Sequence, residues 1–379
     1  MNKKISFFLD DFELGKDSVL GIYIHIPFCE KRCNYCHFFS RILKPNHIEK
    51  FFEALVSEIE YYEKTDRNLF EKSFVDSIYF GGGTPSMVKP FVLKNLIEIL
   101  GSKFNFKNPE ITLEAHPKSF LENYKDKNDV FFNRLSLGIV SFEEKELLNL
   151  NRENFGYPAL ILAKELGIEN VNVDLLIGIP GQNLASFKKS LDIICQFDNV
   201  RGVSIYPLEA DFVESDEKVL ELMDYSEEYL DKMGYIRYEI ANYAKDGFFC
   251  RHNLKYWEYM NFLSFGPSSS SKIGNHRFKR SSNLNSYLEK KFFLEEDIRL
   301  SEEDLFFEKI MMGLRLMKGI KISELETQFD KGLVEDFLIK IKKFEELVKI
   351  ENDMVFLTKK GIIFMNDFLV EIMPDRKVL

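Results

Sequence analysis

Cys29, Cys33 and Cys36 fall within eight residues, inside the stretch Gly21–Ser40, GIYIHIPFCEKRCNYCHFFS. Three thiols this close cannot all pair as disulfides, so their common purpose is to hold metal. A C-x3-C-x2-C loop can wrap a cuboidal iron–sulfur cluster with one thiolate on each of three irons, leaving the fourth iron without a protein ligand. An open iron of that kind can chelate a small molecule through an amine and a carboxylate, and S-adenosylmethionine (SAM) offers both. An electron from the cluster could then cleave the sulfonium and release a 5′-deoxyadenosyl radical. That chemistry belongs to the cofactor, while the protein supplies position and excludes water. Two other readings stand beside this one: zinc, with His25 or His37 as fourth ligand, and three unrelated core cysteines.

The elements that must position this loop follow from hydrophobic periodicity. Gly21–Ile26 is an apolar strand that breaks at Pro27, just before the cysteines. Further strands are expected at Phe74–Phe80, Glu110–Glu114, Arg134–Gly138, Asn170–Leu176 and Gly202–Tyr206, with helical stretches between them at about 46–64, 91–100, 143–166 and 184–197. Six strand-then-helix units predict parallel strands joined by right-handed crossovers. The strands read as short and apolar, as in a sheet covered on both faces. An open sheet and a curled partial barrel share this pattern. The Cys loop, Gly81–Pro85, Glu114, Gly138, Asp174 and Tyr206 all fall at or just past strand C-termini, where parallel α/β folds build their sites. Past residue 236 the pattern changes. Tyr238–Asn242 reads as one more strand and Ser264–Ser271 as a loop. From Ser301 the chain is helical and amphipathic, closing with Met354–Leu357 and a final helix, the outline of a small winged-helix-like domain.

Composition narrows the function classes. The 379 residues are 45% hydrophobic and 30% charged, an ordinary globular balance. The net charge of −10 argues against a large nucleic-acid footprint. No apolar run reaches the roughly 18 residues of a transmembrane helix, and Asp10 and Asp11 interrupt the N-terminus before a signal-peptide core can form. Five cysteines, three of them clustered, favour metal binding in a reducing compartment. The expected location is the cytoplasm.

Other residues carry competing readings. Gly81-Gly82-Gly83-Thr84-Pro85 can bring backbone close to a ligand, or can be a tight strand-to-helix turn. Glu114 and Asp174 at strand ends suit a site, or a salt bridge or cap. His252, in Arg251-His252-Asn253-Leu254-Lys255-Tyr256-Trp257, has an imidazole suited to heme iron, or is a hydrogen-bonded core histidine. Cys250 beside it is a soft ligand or a buried thiol.

Several of these stretches together resemble the radical SAM superfamily, and within it the oxygen-independent coproporphyrinogen III oxidase-like branch and its HemW-type heme chaperones. The matching pieces are the loop from Tyr23 to Cys36, Gly81–Pro85, Arg134-Leu135-Ser136-Leu137-Gly138 with Ser141-Phe142, Asn172–Leu176 with Gly178-Ile179-Pro180-Gly181-Gln182, Arg251–Trp257 and Leu357-Thr358-Lys359-Lys360-Gly361. The resemblance covers the chain from about residue 18 onward. It implies a curled partial TIM-like (β/α)6 radical SAM barrel over 18–240, after a lead-in at 1–17. A connecting segment at 241–300 and a small C-terminal helical, winged-helix-like domain at 301–379 would follow. It implies a [4Fe–4S] cluster on Cys29, Cys33 and Cys36, with SAM against Gly82, Gly83, Thr84 and Glu114. Tyr23 and Tyr35 would flank cluster and SAM, Arg152 and Asp174 would line the cavity, and heme would lie on His252.

Some positions depart from the branch's pattern. Phe38 stands where the true oxidases carry a further cysteine, and Val140 replaces their glutamine. His37, Asn154, His116 and Ser268–Ser271 also differ from common residues. Phe38 and Val140 tilt the expectation toward a heme chaperone that binds heme, cluster and SAM, draws on an electron donor and hands heme to acceptor proteins. The other departures, Asn154 from the chaperone pattern among them, mark a cavity that has drifted from the standard one. The alternatives are the oxidative decarboxylation of coproporphyrinogen III and a tRNA- or protein-modifying radical enzyme.

Overall fold

The six expected strands form the parallel centre of one sheet. The computed structural model describes residues 3–4, 18–210 and 213–373. In it the strands are β1 (Ser18–Ile26), β2 (Ser73–Gly82), β3 (Asn105–Ala115), β4 (Arg134–Val140), β5 (Val171–Ile177) and β6 (Val200–Pro207). Each pairs in parallel with the next in chain order. That order is what successive right-handed crossovers produce when a sheet curls one way. The crossovers carry α1 (His47–Thr65), α2 (Pro90–Lys103), α3 (Pro117–Asn123), α4 (Glu144–Asn149), α5 (Gly156–Glu165) and α6 (Leu184–Ile194). Helix α7 (Asp216–Lys232) follows β6. β1 and β6 do not pair with each other, so the barrel is partial and open.

The strands are not apolar on both faces, and here the structure corrects the sequence reading. Leu20, Ile22, Ile24, Ile78, Phe80, Leu113, Leu135, Leu137, Val173 and Leu175 are buried in the main core beneath the helices. The alternating set, including Tyr23, His25, Ser77, Tyr79, Glu114, Ser136, Asn172, Asp174 and Ser204, bonds across strands on the opposite, concave face. Period-2 alternation thus sorts apolar side chains outward and polar ones into the lumen.

Residues 236–299 are built into the same sheet. The expected strand Tyr238–Asn242 is instead the turn between two short strands, β7 (Ile236–Arg237) and β8 (Asn242–Ala244), and β8 lies antiparallel on β6. Helix α8 (Arg251–Trp257) follows. Strand β9 (Phe262–Phe265) then joins the free edge of β1 in parallel. It is continued by antiparallel β10 (Ser270–Ile273), β11 (His276–Arg280) and β12 (Phe293–Arg299). Only the two ends of the serine-rich stretch expected to be a loop are therefore strand, and residues 266–269 between them form a turn. The serine hydroxyls satisfy the ladder locally, with Ser271 Oγ accepting from Ser264 N at 2.9 Å. Arg280 and Glu58, both buried, form an ion pair that ties β11 to α1.

The C-terminal part has its own core, built from Phe306, Ile310, Leu325, Val334, Phe337, Val355 and Phe368. Three helices, α9 (Glu302–Gly313), α10 (Ile322–Gln328) and α11 (Lys331–Ile341), pack with an antiparallel three-stranded sheet. Its strands are β13 (Ile320–Lys321), β14 (Val348–Glu351) and β15 (Met354–Leu357). The expected final helix is two, Lys359–Ile363 and Met365–Ile372. Among the described residues no helix is long and apolar enough to cross a membrane. Apart from Lys3–Lys4, the lead-in at 1–17 lies outside the described residues.

Candidate cluster and ligand site at the strand ends

Cys29, Cys33 and Cys36 are half-buried and unpaired at the C-terminal mouth of the lumen. Backbone pairing of Phe28–Cys29 with Arg41–Ile42 closes the loop at its base. His25 closes it from inside. Its Nε2 bonds Phe39 O at 3.0 Å and its Nδ1 bonds the Tyr23 hydroxyl at 3.1 Å. A carbonyl only accepts, so Nε2 carries the proton and Nδ1 accepts from Tyr23. Burial lowers the imidazole to about 4, which keeps it neutral. Both nitrogens are spent, so His25 as placed cannot be the fourth ligand of a zinc ion. Among the described residues no three His, Cys, Asp or Glu side chains are grouped to hold one metal ion. A cuboidal cluster sets its thiolates on separate irons and does not require such convergence.

The glycine run packs against this loop. Gly82 has φ +109°, and a Cβ there would stand 2.7 Å from the His25 ring. A Cβ on Gly83 would stand 2.6 Å from Phe28 O, so only glycine lets the two backbones meet. The N–H groups are used inside the protein. Gly82 N donates to Glu114 Oε2 at 3.2 Å, Gly83 N to Ile26 O at 2.8 Å and Thr84 N to Phe28 O at 2.7 Å. A ligand at this run would therefore meet carbonyl oxygens rather than N–H donors. The Thr84 hydroxyl donates to Cys29 Sγ at 3.6 Å, the kind of bond that tunes a ligating sulfur.

Glu114 and Asp174 lie deep in the molecule yet keep accessible surface, so that surface belongs to the lumen. Glu114 accepts from the Tyr79 hydroxyl at 2.8 Å. Burial, with Asp174 adding repulsion, raises its carboxyl to about 7. Asp174 accepts from Asn172 Nδ2 at 2.8 Å and from Ser136 Oγ at 3.2 Å, and burial raises it too. Two lumen carboxylates held above their usual range suit a cationic ligand, whose charge would favour their ionised forms. SAM carries a sulfonium and an ammonium, so the donor set fits it.

Arg152 spans the mouth. Its Nη1 donates to Tyr35 OH at 3.0 Å and its Nη2 to Gly138 O at 2.6 Å, while its buried Nε has no partner. Burial pushes the Tyr35 hydroxyl up to about 12 despite Arg152 nearby, so it stays a neutral phenol at the side of Cys33. Val140, at the end of β4, has φ +73° and closes a three-residue turn, Ser141 N to Ile139 O at 2.9 Å. That conformation is costly for a β-branched residue. A small cluster with Leu147, Leu150, Ile179, Leu208 and Tyr35 holds it. The other departures have structural tasks. His116 Nδ1 accepts from Lys118 N and caps α3, and Asn154 Nδ2 donates to Phe142 O at 2.8 Å.

His252 lies at the opposite, N-terminal end of the lumen, which α8 closes as a floor. It is 1% exposed, its Nδ1 bonded to Ser77 Oγ at 3.0 Å and its Nε2 to Tyr256 OH at 2.9 Å. The ring stacks on Tyr79 and Tyr23 at centroid distances of 5.3 and 6.2 Å. Burial lowers it to about 3. As placed, it offers iron no unpaired nitrogen. Ligation would require the ring to leave both bonds. Trp257 turns toward the C-terminal core, with the Arg315 guanidinium 5.5 Å above its ring. Cys250, fully buried beside Arg134 and Glu110, has its thiol pushed up to about 12 by burial.

The structure thus gathers Tyr35, Gly82, Gly83, Thr84 and Arg152 beside the cysteine loop, places Glu114 and Asp174 in the lumen behind it, and leaves Tyr23 stacked on His252 of the floor. Sequence reasoning missed His25 as the internal clamp of the loop. It also missed the Ser136–Asn172–Ser204 net that orients Asp174. The period-2 polar positions in the strands were the available signal. Two surface cavities of about 530 and 330 Å³ lie elsewhere, one lined by Tyr61, Lys64 and Phe292, the other by Glu227, Arg237 and Lys359.

Known proteins match this chain in family and in fold. Residues 23–194 match the radical SAM superfamily model, and residues 300–364 match the HemN C-terminal domain model. The chain is 33% identical to the heme chaperone HemW of Buchnera aphidicola from Acyrthosiphon pisum, over 92% of this chain and 97% of the relative. It is 30% identical to the HemW of Buchnera aphidicola from Schizaphis graminum, with the same coverage. The solved coproporphyrinogen III oxidase (HemN) from Escherichia coli, a radical SAM enzyme, superposes with a TM-score of 0.79 at 22% identity, covering 95% of this chain and 91% of that one. That likeness is one of fold.

Proposed function

The chain belongs to the heme chaperone HemW family, within the radical SAM superfamily, and from that premise we propose that it binds heme and passes it to acceptor proteins. In this reading Cys29, Cys33 and Cys36 hold a [4Fe–4S] cluster. SAM lies against Gly82, Gly83 and Thr84, with its charged groups facing Glu114 and Asp174. The cluster and SAM supply one-electron chemistry when bound. The chain's own residues do the rest. His25 fixes the loop through Phe39 and Tyr23, Thr84 bonds Cys29, and Arg152 holds Tyr35 against the mouth. The observation that carries the reading is the accessible three-cysteine mouth facing two lumen carboxylates. Heme rests on the relatives' name, and its acceptor, the electron donor and a cytoplasmic location belong to the same proposal.

Heme titration of the anaerobically reconstituted protein, followed by absorbance, tests it. A saturable change in the heme spectrum is expected, and no binding at micromolar heme would overturn the chaperone reading. The same titration on His252→Ala tests that residue: an unchanged spectrum removes it from the heme site. Conversion of coproporphyrinogen III to protoporphyrinogen would instead favour the oxidase.

A further inference from the structure

The loop that carries the cysteines differs in charge from the rest of the chain. The molecule is net −10, yet between Phe28 and Lys50 five basic side chains, Lys31, Arg32, Arg41, Lys44 and Lys50, stand against two acidic ones, Glu30 and Glu49. All five basic residues are exposed, and none forms an ion pair among the described residues. Glu30 is committed to Lys118, with Nζ to Oε1 at 2.8 Å. Two large apolar side chains project among these charges, Phe38 at 68% and Ile42 at 60% exposed. The patch adjoins the proposed metal ligands. Phe38 is two residues from Cys36, and Arg41–Ile42 is hydrogen-bonded backbone to backbone with Phe28–Cys29. The Arg41 guanidinium lies 4.5 Å over the Phe39 ring, which fixes its direction. Tyr35 and Arg152, on the lumen side of the loop, are turned inward and take no part.

We propose that this patch is the docking surface for an acidic one-electron carrier protein, a low-potential flavoprotein or iron–sulfur protein that reduces the cluster. The inference rests on the cluster reading above. One electron leaves the carrier and one enters the cluster, with no bond made or broken. Complementary charge would steer the acidic carrier to this face of an otherwise acidic molecule, and the apolar pair would form the dry centre of the contact. An anionic membrane shares some of this chemistry. It is the poorer fit, because two apolar side chains give little insertion and the patch surrounds the cysteines rather than a separate amphipathic face.

The test uses the reconstituted holoprotein and a reduced acidic flavodoxin-type carrier. Its variants are Arg41→Glu combined with Lys44→Glu, and Phe38→Ala, none of which alters a proposed cluster or SAM contact. Charge reversal is expected to weaken carrier binding at low salt about 10-fold or more and to flatten its salt dependence. Phe38→Ala should weaken it a few-fold. Reduction of the cluster by dithionite, read from its visible absorbance, should be unchanged in both. Carrier affinity and salt dependence equal to wild type would overturn the inference. So would loss of binding to anionic vesicles with carrier binding intact, which assigns the patch to a membrane. Iron and sulfide content of the same samples reports separately on the cluster. A chain without iron fails the functional reading, and a loaded chain indifferent to charge reversal fails this inference alone.

Discussion

The two ends of the lumen are made from the same residue types and do opposite things. At the mouth stand Cys29, Cys33, Cys36, Glu114, Tyr35 and Arg152. At the floor stand Cys250, Glu110, Tyr256, His252 and Arg134. Glu110 and Glu114 even share β3, four residues apart on one face. At the floor the polar atoms largely satisfy one another: Cys250 Sγ and His252 N bond Glu110 Oε1 at 3.6 and 3.4 Å, and His252 is bonded at both nitrogens. At the mouth the thiols are accessible and the carboxylates keep surface, whereas a buried guanidinium Nε without a partner occurs at both ends, on Arg152 and on Arg134. What separates the two ends is access to a ligand, not the residue types they contain.

The comparison breaks most readily on the floor. His252→Ala removes a buried ring and leaves the hydroxyls of Ser77 and Tyr256 unpaired, so a loss of about 3 kcal/mol in urea unfolding is expected, with an unchanged m-value. Cluster content per folded chain should stay normal. A near-neutral effect on stability together with lost ligand binding would make the floor a site after all.

A medium effect is expected at the mouth, in pH dependence. The Glu114 carboxyl is raised from 4.5 to about 7 in the folded chain, chiefly by burial. The folded state then holds a proton that the unfolded state releases, so this group's contribution to stability is present below about pH 4.5. It is lost as pH rises toward 7 and is constant above. Lumen water screens the charge, so the swing is of order 1–2 kcal/mol. Glu114→Gln should flatten the ligand-free stability profile between pH 5 and 7. An identical slope in wild type and variant would place Glu114 in a solvated setting like any surface acid.

The smallest effect sharpens the account of the thiol loop. Thr84→Val deletes the hydroxyl that bonds Cys29. Losing a donor to a ligating sulfur disfavours the reduced cluster, so its midpoint should fall by tens of millivolts, in line with a bond of about 1 kcal/mol. An unmoved potential in a redox titration would disconnect Thr84 from the cluster.

Much of this molecule is legible in the chain, for definite reasons. The six parallel strands announce themselves because each sets apolar residues at alternate positions between Gly, Pro or Asn. The cysteine spacing names its chemistry because a three-thiolate loop has few other uses. Strands β9 to β12 were hidden, because β9 pairs with β1 some 240 residues earlier in the chain and a Gly-Pro-Ser cluster reads as a loop. The place of His252 was hidden too. Its bonding depends on Ser77, a long-range neighbour, and on Gly21, where a Cβ would stand 3.2 Å from the imidazole. Val140, marked only as a departure from a family pattern, is a strained turn that packs with Tyr35.

The most direct measurement is iron and sulfide content after anaerobic reconstitution of three proteins: wild type, Cys29→Ala/Cys33→Ala/Cys36→Ala, and Cys250→Ala. The account predicts about four irons and four sulfides per chain in wild type and Cys250→Ala, and almost none in the triple variant. Iron retained by the triple variant, or zinc without sulfide in wild type, would contradict it.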